Sequence, residues 1–553
     1  METKAHSTSR LFAKLLRAES KEIGVILVYG VGVGLLSLAV PIGVQALVNN
    51  VTFGSLSQPL LFLVLAVFGG LSLAAVFRVL QVLVVEQLQM RFFSYTALEL
   101  AARLPKVRTD RLSGARFPEL VNRFFDVLVV QKSTASLLLE GFALVLQTVI
   151  GLVLLAFYHP VLLAFDLFLV IAMVGVLFGL GRGAVQTCIE ESVHKYRVAA
   201  WLEELAEKTL SFRTSEARRL ALRKSDELIV GYLNARRRHF KILFRQVVGA
   251  LSLQAIASAS LLGLGAILVT RNQLTLGQLV AAEIVVTNVL SSLAKFQKHL
   301  EAFYDLAAGL DKIEGLMELP LEQEDSGYAL DATGPAVLTL KEAGFSYSDS
   351  NFSLSPISRE IGSGKKVALQ GPNGSGKSTL VDILFGLKHL TTGAVLLDGI
   401  DFKESGPEAL RRHVALVRGI EVIAGTVLEN VVFGRPTISV LKAKEALQSV
   451  GLLDEIQRLP QGIHTPLGQN GSPLSVAHAQ GLMIARAIVG KPRLLIIDEC
   501  LDALDSASSK ITLNTLLDRS APWTLLLCTH DDEMAQQCDD RIVLGEPEKR
   551  RAS

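Results

Sequence analysis

The stretch "KKVALQGPNGSGKSTLVDILFG", residues 365–386, decides the architecture of the second half of the chain. A short apolar run leads into a glycine-rich loop, and the loop leads into an amphipathic helical pattern. Within it, "GPNGSGKS" fits G-x-x-x-x-G-K-[S/T] in the strand–loop–helix setting that gives the pattern meaning. Gly371, Gly374 and Gly376 let backbone N–H groups close around a phosphate at a helix start, whose dipole favours anions. Asn373, Ser375 and Thr379 belong to the same binding loop. Lys377 would reach the β and γ phosphates of ATP, and Ser378 would ligate Mg²⁺. A merely flexible glycine turn would not need all eight positions.

Two downstream runs fit a parallel sheet. "RLLIIDE" (493–499) is an apolar strand ending in Asp498, placed for a Mg²⁺ shell, and Glu499, placed to polarise an attacking water. "TLLLCTH" (524–530) is another buried strand. It ends in His530, which at a strand's C-terminal edge could contact a γ-phosphate.

The first half is written for a different solvent. Half of the 553 residues are hydrophobic, only 20% are charged, and mean hydropathy is +0.41, all pointing to membrane spans. Apolar runs at 23–48, 59–77, 137–158, 160–180 and 247–269 are long enough to cross a bilayer, which takes roughly 20 helical residues. A sixth run, 276–293, is interrupted by Glu283 and Asn288. An even count returns the chain to its starting side. The segments near 49–58, 159 and 270–275 are short and poor in Lys and Arg, whereas 86–132 and 183–244 are long and basic. The positive-inside rule therefore places the long loops and both termini in the cytosol. "RTDRLSGARFPELVNRFF" (108–125) and "EKTLSFRTSEARR" (207–219) should hold short coupling helices. Glu140, Asp166 and Glu283 lie in or near apolar runs, where interhelical hydrogen bonding or a position near the interface is a plainer reading than a substrate or proton path.

The remaining segments are read from composition. Residues 1–22 are polar and lack the apolar core of a cleaved signal, and "SRLFAKLLRA" (9–18) could lie along the membrane surface. The membrane domain then covers 23–316, an acidic linker 317–336, and an α/β domain 337–553. A net charge of +2 carries no nucleic-acid signal. The four cysteines show neither CxxC spacing nor a histidine cluster, which disfavours metal or disulfide roles.

In this order and spacing, the phosphate loop, Asp498–Glu499, "DALD" (502–505) and His530 resemble an ABC exporter half-transporter over almost the whole length. The resemblance implies an all-α six-helix transmembrane domain plus an α/β P-loop NTPase domain with a small β-rich subdomain and a helical subdomain. It also implies ATP and Mg²⁺ as cofactors and a dimer, either a homodimer or a heterodimer with a second half-transporter. Tyr347 in "GFSYSD" stands where the family stacks an aromatic ring on adenine. "SLAVPIGVQALVNNV" (37–51) resembles type I protein and peptide secretion exporters. That match implies the bacterial inner membrane and a periplasmic adaptor, with no peptidase domain preceding the first span.

Two departures stand out. Where the family carries LSGGQ, this chain reads "LSVAH" (474–478): Ser475 remains as a donor for the partner's phosphate, while Val476 and Ala477 add Cβ atoms at the closest approach. The family's Q-loop glutamine aligns with Arg418, which has no acceptor for Mg²⁺. Arg418 is expected to contact phosphate or a carboxylate on a cytosolic loop of the membrane domain. The expectation is a slow ATPase that drives export. An ATP-binding membrane regulator or sensor, or an ATP-gated channel, are the alternatives.

Overall fold

The structure is a computed structural model that describes residues 19–52, 58–108, 121–322, 333–346, 353–468, 470–501, 504 and 506–545. The 9–18 segment, Tyr347, residues 109–120, half of the linker (323–332) and most of "DALD" lie outside the described residues. Two compact units form, 19–106 with 121–319 and 107–108 with 320–545.

The first unit is helical throughout. Its helices include Gln58–Arg103 of 46 residues, Ser215–Thr270 of 56 and Leu276–Met317 of 42. At 1.5 Å per residue the longest measures about 84 Å, far more than the ~30 Å of a bilayer's hydrocarbon core. The spans therefore continue as helix well past the membrane. Among the described residues five helices are long and apolar enough to cross a bilayer: Ser20–Asn49, Leu60–Lys106, Arg123–Phe157, Pro160–Glu207 and Ser215–Thr270. The sixth expected span opens Leu276–Met317, whose apolar stretch is Leu276–Thr287. Thr275 and Gln278 start that helix with a reciprocal capping box.

Leu155, Leu162, Leu169, Leu253, Leu261 and Val286 form an interhelical core. Phe62, Phe68, Phe157, Phe168 and Phe178 are exposed on the outside, by 51–84%. Helices apolar on both the inner and outer faces belong in lipid. Glu140 stands 3.7 Å from Lys298 Nζ and 3.6 Å from His299 Nε2 of a neighbouring helix, close enough for electrostatic attraction but beyond hydrogen-bond length. Asp166 departs from the expected interhelical hydrogen bonding: it is buried, and neither carboxylate oxygen has a hydrogen-bond partner among the described residues. The short helix expected within 207–219 is also missing. Turns at 208–212 lead directly to Thr214, which caps Ser215–Thr270. Trp201 packs on Phe212 and donates to Ser225 Oγ at 2.9 Å, so the two long helices are stitched together without an intervening element.

The second unit is α/β. Its central sheet is parallel and five-stranded, in the order β11-β3-β10-β9-β6, from β3 (Lys366–Gln370), β6 (Val414–Arg418), β9 (Leu494–Asp498), β10 (Thr524–Cys528) and β11 (Asp540–Val543). The strands β1 (Leu338–Ser346), β2 (Ser353–Ile361), β4 (Thr392–Leu397) and β5 (Ile400–Asp401) form an antiparallel sheet ordered β2-β1-β4-β5. The helices Val440–Ser449, Leu453–Gln457 and Val476–Val489 lie on the other side of the central sheet. Alternation explains the layering. Leu494, Ile496 and Leu526 enter a core shared with the antiparallel sheet, whereas Leu495, Ile497, Leu525 and Leu527 enter a core shared with the helices. Strands covered on both faces must be apolar at every position, which is why these runs lack a polar alternation.

Candidate functional site

Parallel strands end on one edge of their sheet, and the loops that follow share that edge. The register sets Arg418 opposite Asp498, Asp498 opposite Cys528, and Cys528 opposite Leu369, one residue short of the end of β3. The phosphate loop, Glu499 and His530 therefore meet although more than a hundred residues separate the loop from the other two.

The loop itself is shaped by glycine. Gly371 and Gly374 have φ of 156° and 83°, and a Cβ on Gly371 would lie 2.6 Å from Ser375 Oγ and 2.8 Å from the Leu544 carbonyl. The helix Lys377–Leu384 starts immediately after Gly376, so its first-turn N–H groups have no partner within the helix. Asn373, Gly374, Gly376, Lys377, Ser378, Thr379 and Glu499 line a cavity of about 380 Å³. Ser375 Oγ is buried with no hydrogen-bond partner among the described residues. Lys377 is buried, donates to the Gly371 carbonyl at 2.9 Å and stands 3.6 Å from Glu499 Oε1. An orphaned hydroxyl, a helix start and an ammonium group around one concavity fit a polyphosphate.

Glu499 follows β9 with φ of 54°, and its N–H donates to the Cys528 carbonyl at 3.1 Å. That turn aims the carboxylate at His530, whose Nε2 lies 3.0 Å from Oε1. Of the expected site residues, the structure thus gathers Lys377, Glu499 and His530 with the phosphate loop.

Arg418 is held by two carboxylates of its own unit. Nε donates to Asp498 Oδ2 at 2.6 Å, Nη1 to Asp382 Oδ1 at 2.6 Å, and Nη2 to the Ser378 carbonyl at 3.2 Å. Burial opposes the guanidinium charge, but the hydrogen bonds and charges of Asp382 and Asp498 outweigh it, leaving Arg418 above the ordinary arginine pKa. The donor set expected for Mg²⁺, Ser378 and Asp498, is therefore not free: one Asp498 oxygen is already committed. Sequence reasoning missed Asp382. Its signal was available, since it stands four residues after Ser378 on the same helix face.

The degenerate signature keeps part of its geometry. Ser475 caps the helix Val476–Val489, its Oγ accepting from His478 N–H at 3.1 Å. The hydroxyl proton stays available for donation outward. Val476 is 67% exposed at the helix start. From the same helix Arg486 donates to the Glu421 carbonyl at 2.8 Å, the Asn430 carbonyl at 2.7 Å and Asn430 Oδ1 at 2.6 Å. The segment after Arg418 is thereby tied to the signature helix.

Residues 354–502 match the family described as ABC transporter. The alpha-hemolysin translocation ATP-binding protein HlyB of Escherichia coli is 28% identical over 324 residues, 58% of this chain and 45% of that protein. An ATP-dependent lipid A-core flippase of Paraburkholderia xenovorans is 32% identical over 300 residues, 53% of this chain and 49% of that protein. The leukotoxin export ATP-binding protein LtxB of Aggregatibacter actinomycetemcomitans is 29% identical over 314 residues, 56% of this chain and 44% of that protein. The chain spans about half the length of the curated relatives it matches. In fold it is similar to a bacterial Atm1-family ABC exporter solved with ATP bound, at a TM-score of 0.82 and 23% identity, covering 96% of this chain and 93% of that one.

Proposed function

We propose that this chain, an ABC transporter ATPase domain fused to a helical membrane domain of the exporter fold, is a half-transporter that exports its substrate by hydrolysing ATP. The observation that carries the proposal is the placement of Glu499 Oε1 between His530 Nε2 at 3.0 Å and Lys377 Nζ at 3.6 Å. These groups sit at the mouth of a phosphate loop, in a chain with helices of membrane length. Lys377 neutralises the β and γ phosphates, the loop N–H groups and Thr379 cradle them, and Tyr347 stacks on adenine. Glu499 orients and polarises the attacking water, with His530 holding the carboxylate. Ser475 donates to the nucleotide of a partner copy. Mg²⁺, when bound, would supply charge neutralisation; Ser378 and Asp498 would hold it, with Arg418 competing for Asp498. Hydrolysis is accordingly slow.

The working unit is a dimer, either of this chain or with a complementary half-transporter. It sits in a bacterial inner membrane with the ATPase domain and both termini cytosolic. The cargo is a peptide or protein, in keeping with the toxin-exporting relatives, and is passed to a periplasmic adaptor. The test is ATP hydrolysis by the purified chain in liposomes. Turnover that rises with a cargo, together with nucleotide-dependent accumulation of that cargo, is the expected result. A second reading, an ATP-binding regulator or sensor that does not transport, is favoured by the grip of Arg418 on Asp498. Nucleotide binding with no cargo-dependent turnover, whether alone or beside a complementary half, would select it.

A further inference from the structure

Three elements converge on the Arg418 guanidinium. It lies at the end of β6, directly opposite Asp498 at the end of β9, and both face Asp382 on the helix that follows the phosphate loop. Two of its donors reach two different carboxylates at 2.6 Å each, and a third reaches the Ser378 carbonyl. A planar fork with fixed donors suits this task, whereas a lysine's point charge would not span it. The side chains of Asp382 and Asp498 are 14% and 6% exposed, so neither charge can rely on water. Lys388 completes Asp382 from its other oxygen at 2.9 Å.

The local charges then balance. Lys377, Lys388 and Arg418 stand against Asp382, Asp498 and Glu499. A neutral residue at 418 would leave the cluster one negative charge in excess beside a polyphosphate, an arrangement that calls for an external cation. With arginine that charge is already supplied, next to the two residues from which a divalent metal would be held.

We infer that Arg418 is a resident cation of this nucleotide site, occupying the place of a divalent metal beside Asp498, so that the chain binds ATP without metal. The inference rests on the reading of the phosphate loop as a nucleotide site. Metal-free binding and metal-dependent hydrolysis become separate events, because Asp498 serves Arg418 in the first and must leave it for the second.

The test is a titration of the full-length chain in detergent with N-methylanthraniloyl-ATP, once in EDTA and once in excess Mg²⁺. The wild-type affinities in the two buffers should agree within about threefold, a difference below 1 kcal/mol. Arg418→Gln should bind at least about tenfold more weakly in EDTA and recover in Mg²⁺, and that recovery also shows that the variant is folded. Arg418→Lys, which keeps the charge without the fork, should retain most of the metal-free binding. Wild-type binding that requires Mg²⁺ overturns the inference while leaving the nucleotide site intact. Binding in neither buffer overturns both. Should Arg418→Gln bind in neither buffer, Arg418→Lys decides: metal-free binding upholds the inference, and a need for Mg²⁺ overturns it. A glutamine variant as indifferent to EDTA as the wild type reduces Arg418 to a structural strut and also overturns it.

Discussion

Lys377 donates inward, to the Gly371 carbonyl of its own loop. A phosphate oxygen is a stronger acceptor than an amide carbonyl, so a bound nucleotide would take over that ammonium group. Lys377→Ala should therefore abolish nucleotide binding, measured by the same titration. Glu499→Gln should keep binding and lose hydrolysis; turnover at the parent rate would remove the carboxylate from its assigned role. Arg418→Gln should lower the Mg²⁺ concentration that half-activates hydrolysis, because Asp498 no longer has to be taken from a guanidinium. An unchanged Mg²⁺ dependence would mean that the two do not compete. At this scale the sequence was readable wherever a motif fixed both residue type and spacing, as at Lys377 and Glu499. It was unreadable for the pairing of Arg418 with Asp498, because a salt bridge between strand ends depends on sheet order. Arg418 and Asp498 are eighty residues apart in the chain, and no local pattern reports that β6 lies beside β9.

The signature helix Val476–Val489 shows what one element can retain after its motif changes. Ser475 still caps it, and the caps and dipole of a helix do not depend on glycine. Val476 and Ala477 add bulk only where the γ-phosphate of a partner site would approach. Replacing both with glycine should raise the ATPase rate by on the order of tenfold, equivalent to about 1.4 kcal/mol of barrier. A folded, ATP-binding double variant that is no faster would place the limitation elsewhere, at Arg418 first. Arg486, on the last turn of the same helix, is held well below the ordinary arginine pKa, at about 10, by burial, yet it stays charged at neutral pH. Arg486→Ala would strand the carbonyls of Glu421 and Asn430, and should cost about 2–3 kcal/mol of ATPase-domain stability in a denaturant titration. The strands were legible from uninterrupted apolar runs. The turn at 208–212 was not, because the charged helical periodicity of the flanks runs through it and only the packing of Trp201 on Phe212 marks the reversal.

At the scale of the molecule, two kinds of burial divide the chain. The α/β unit hides its apolar strands between two cores, while the helical unit displays phenylalanines outward. Composition carried that division plainly, since runs of bilayer length and short β-rich runs occupy different halves. One local feature reaches the stability of the whole α/β unit. Glu499 holds a left-handed backbone, φ 54°, which residues with a Cβ adopt at a cost of roughly 1 kcal/mol or more. Its task fixes that conformation, because the bend past β9 is what aims the carboxylate. Glu499→Gly and Glu499→Ala should be equally inactive, yet glycine accepts the bend freely and alanine does not. The glycine variant should melt higher than the alanine variant by roughly 2–4 °C, the shift expected of about 1 kcal/mol in a domain of this size. Equal melting temperatures would show that the bend is cost-free. A higher one means that this α/β unit endures less well for carrying an aimed carboxylate, and that natural drift away from it would be rewarded with a sturdier fold.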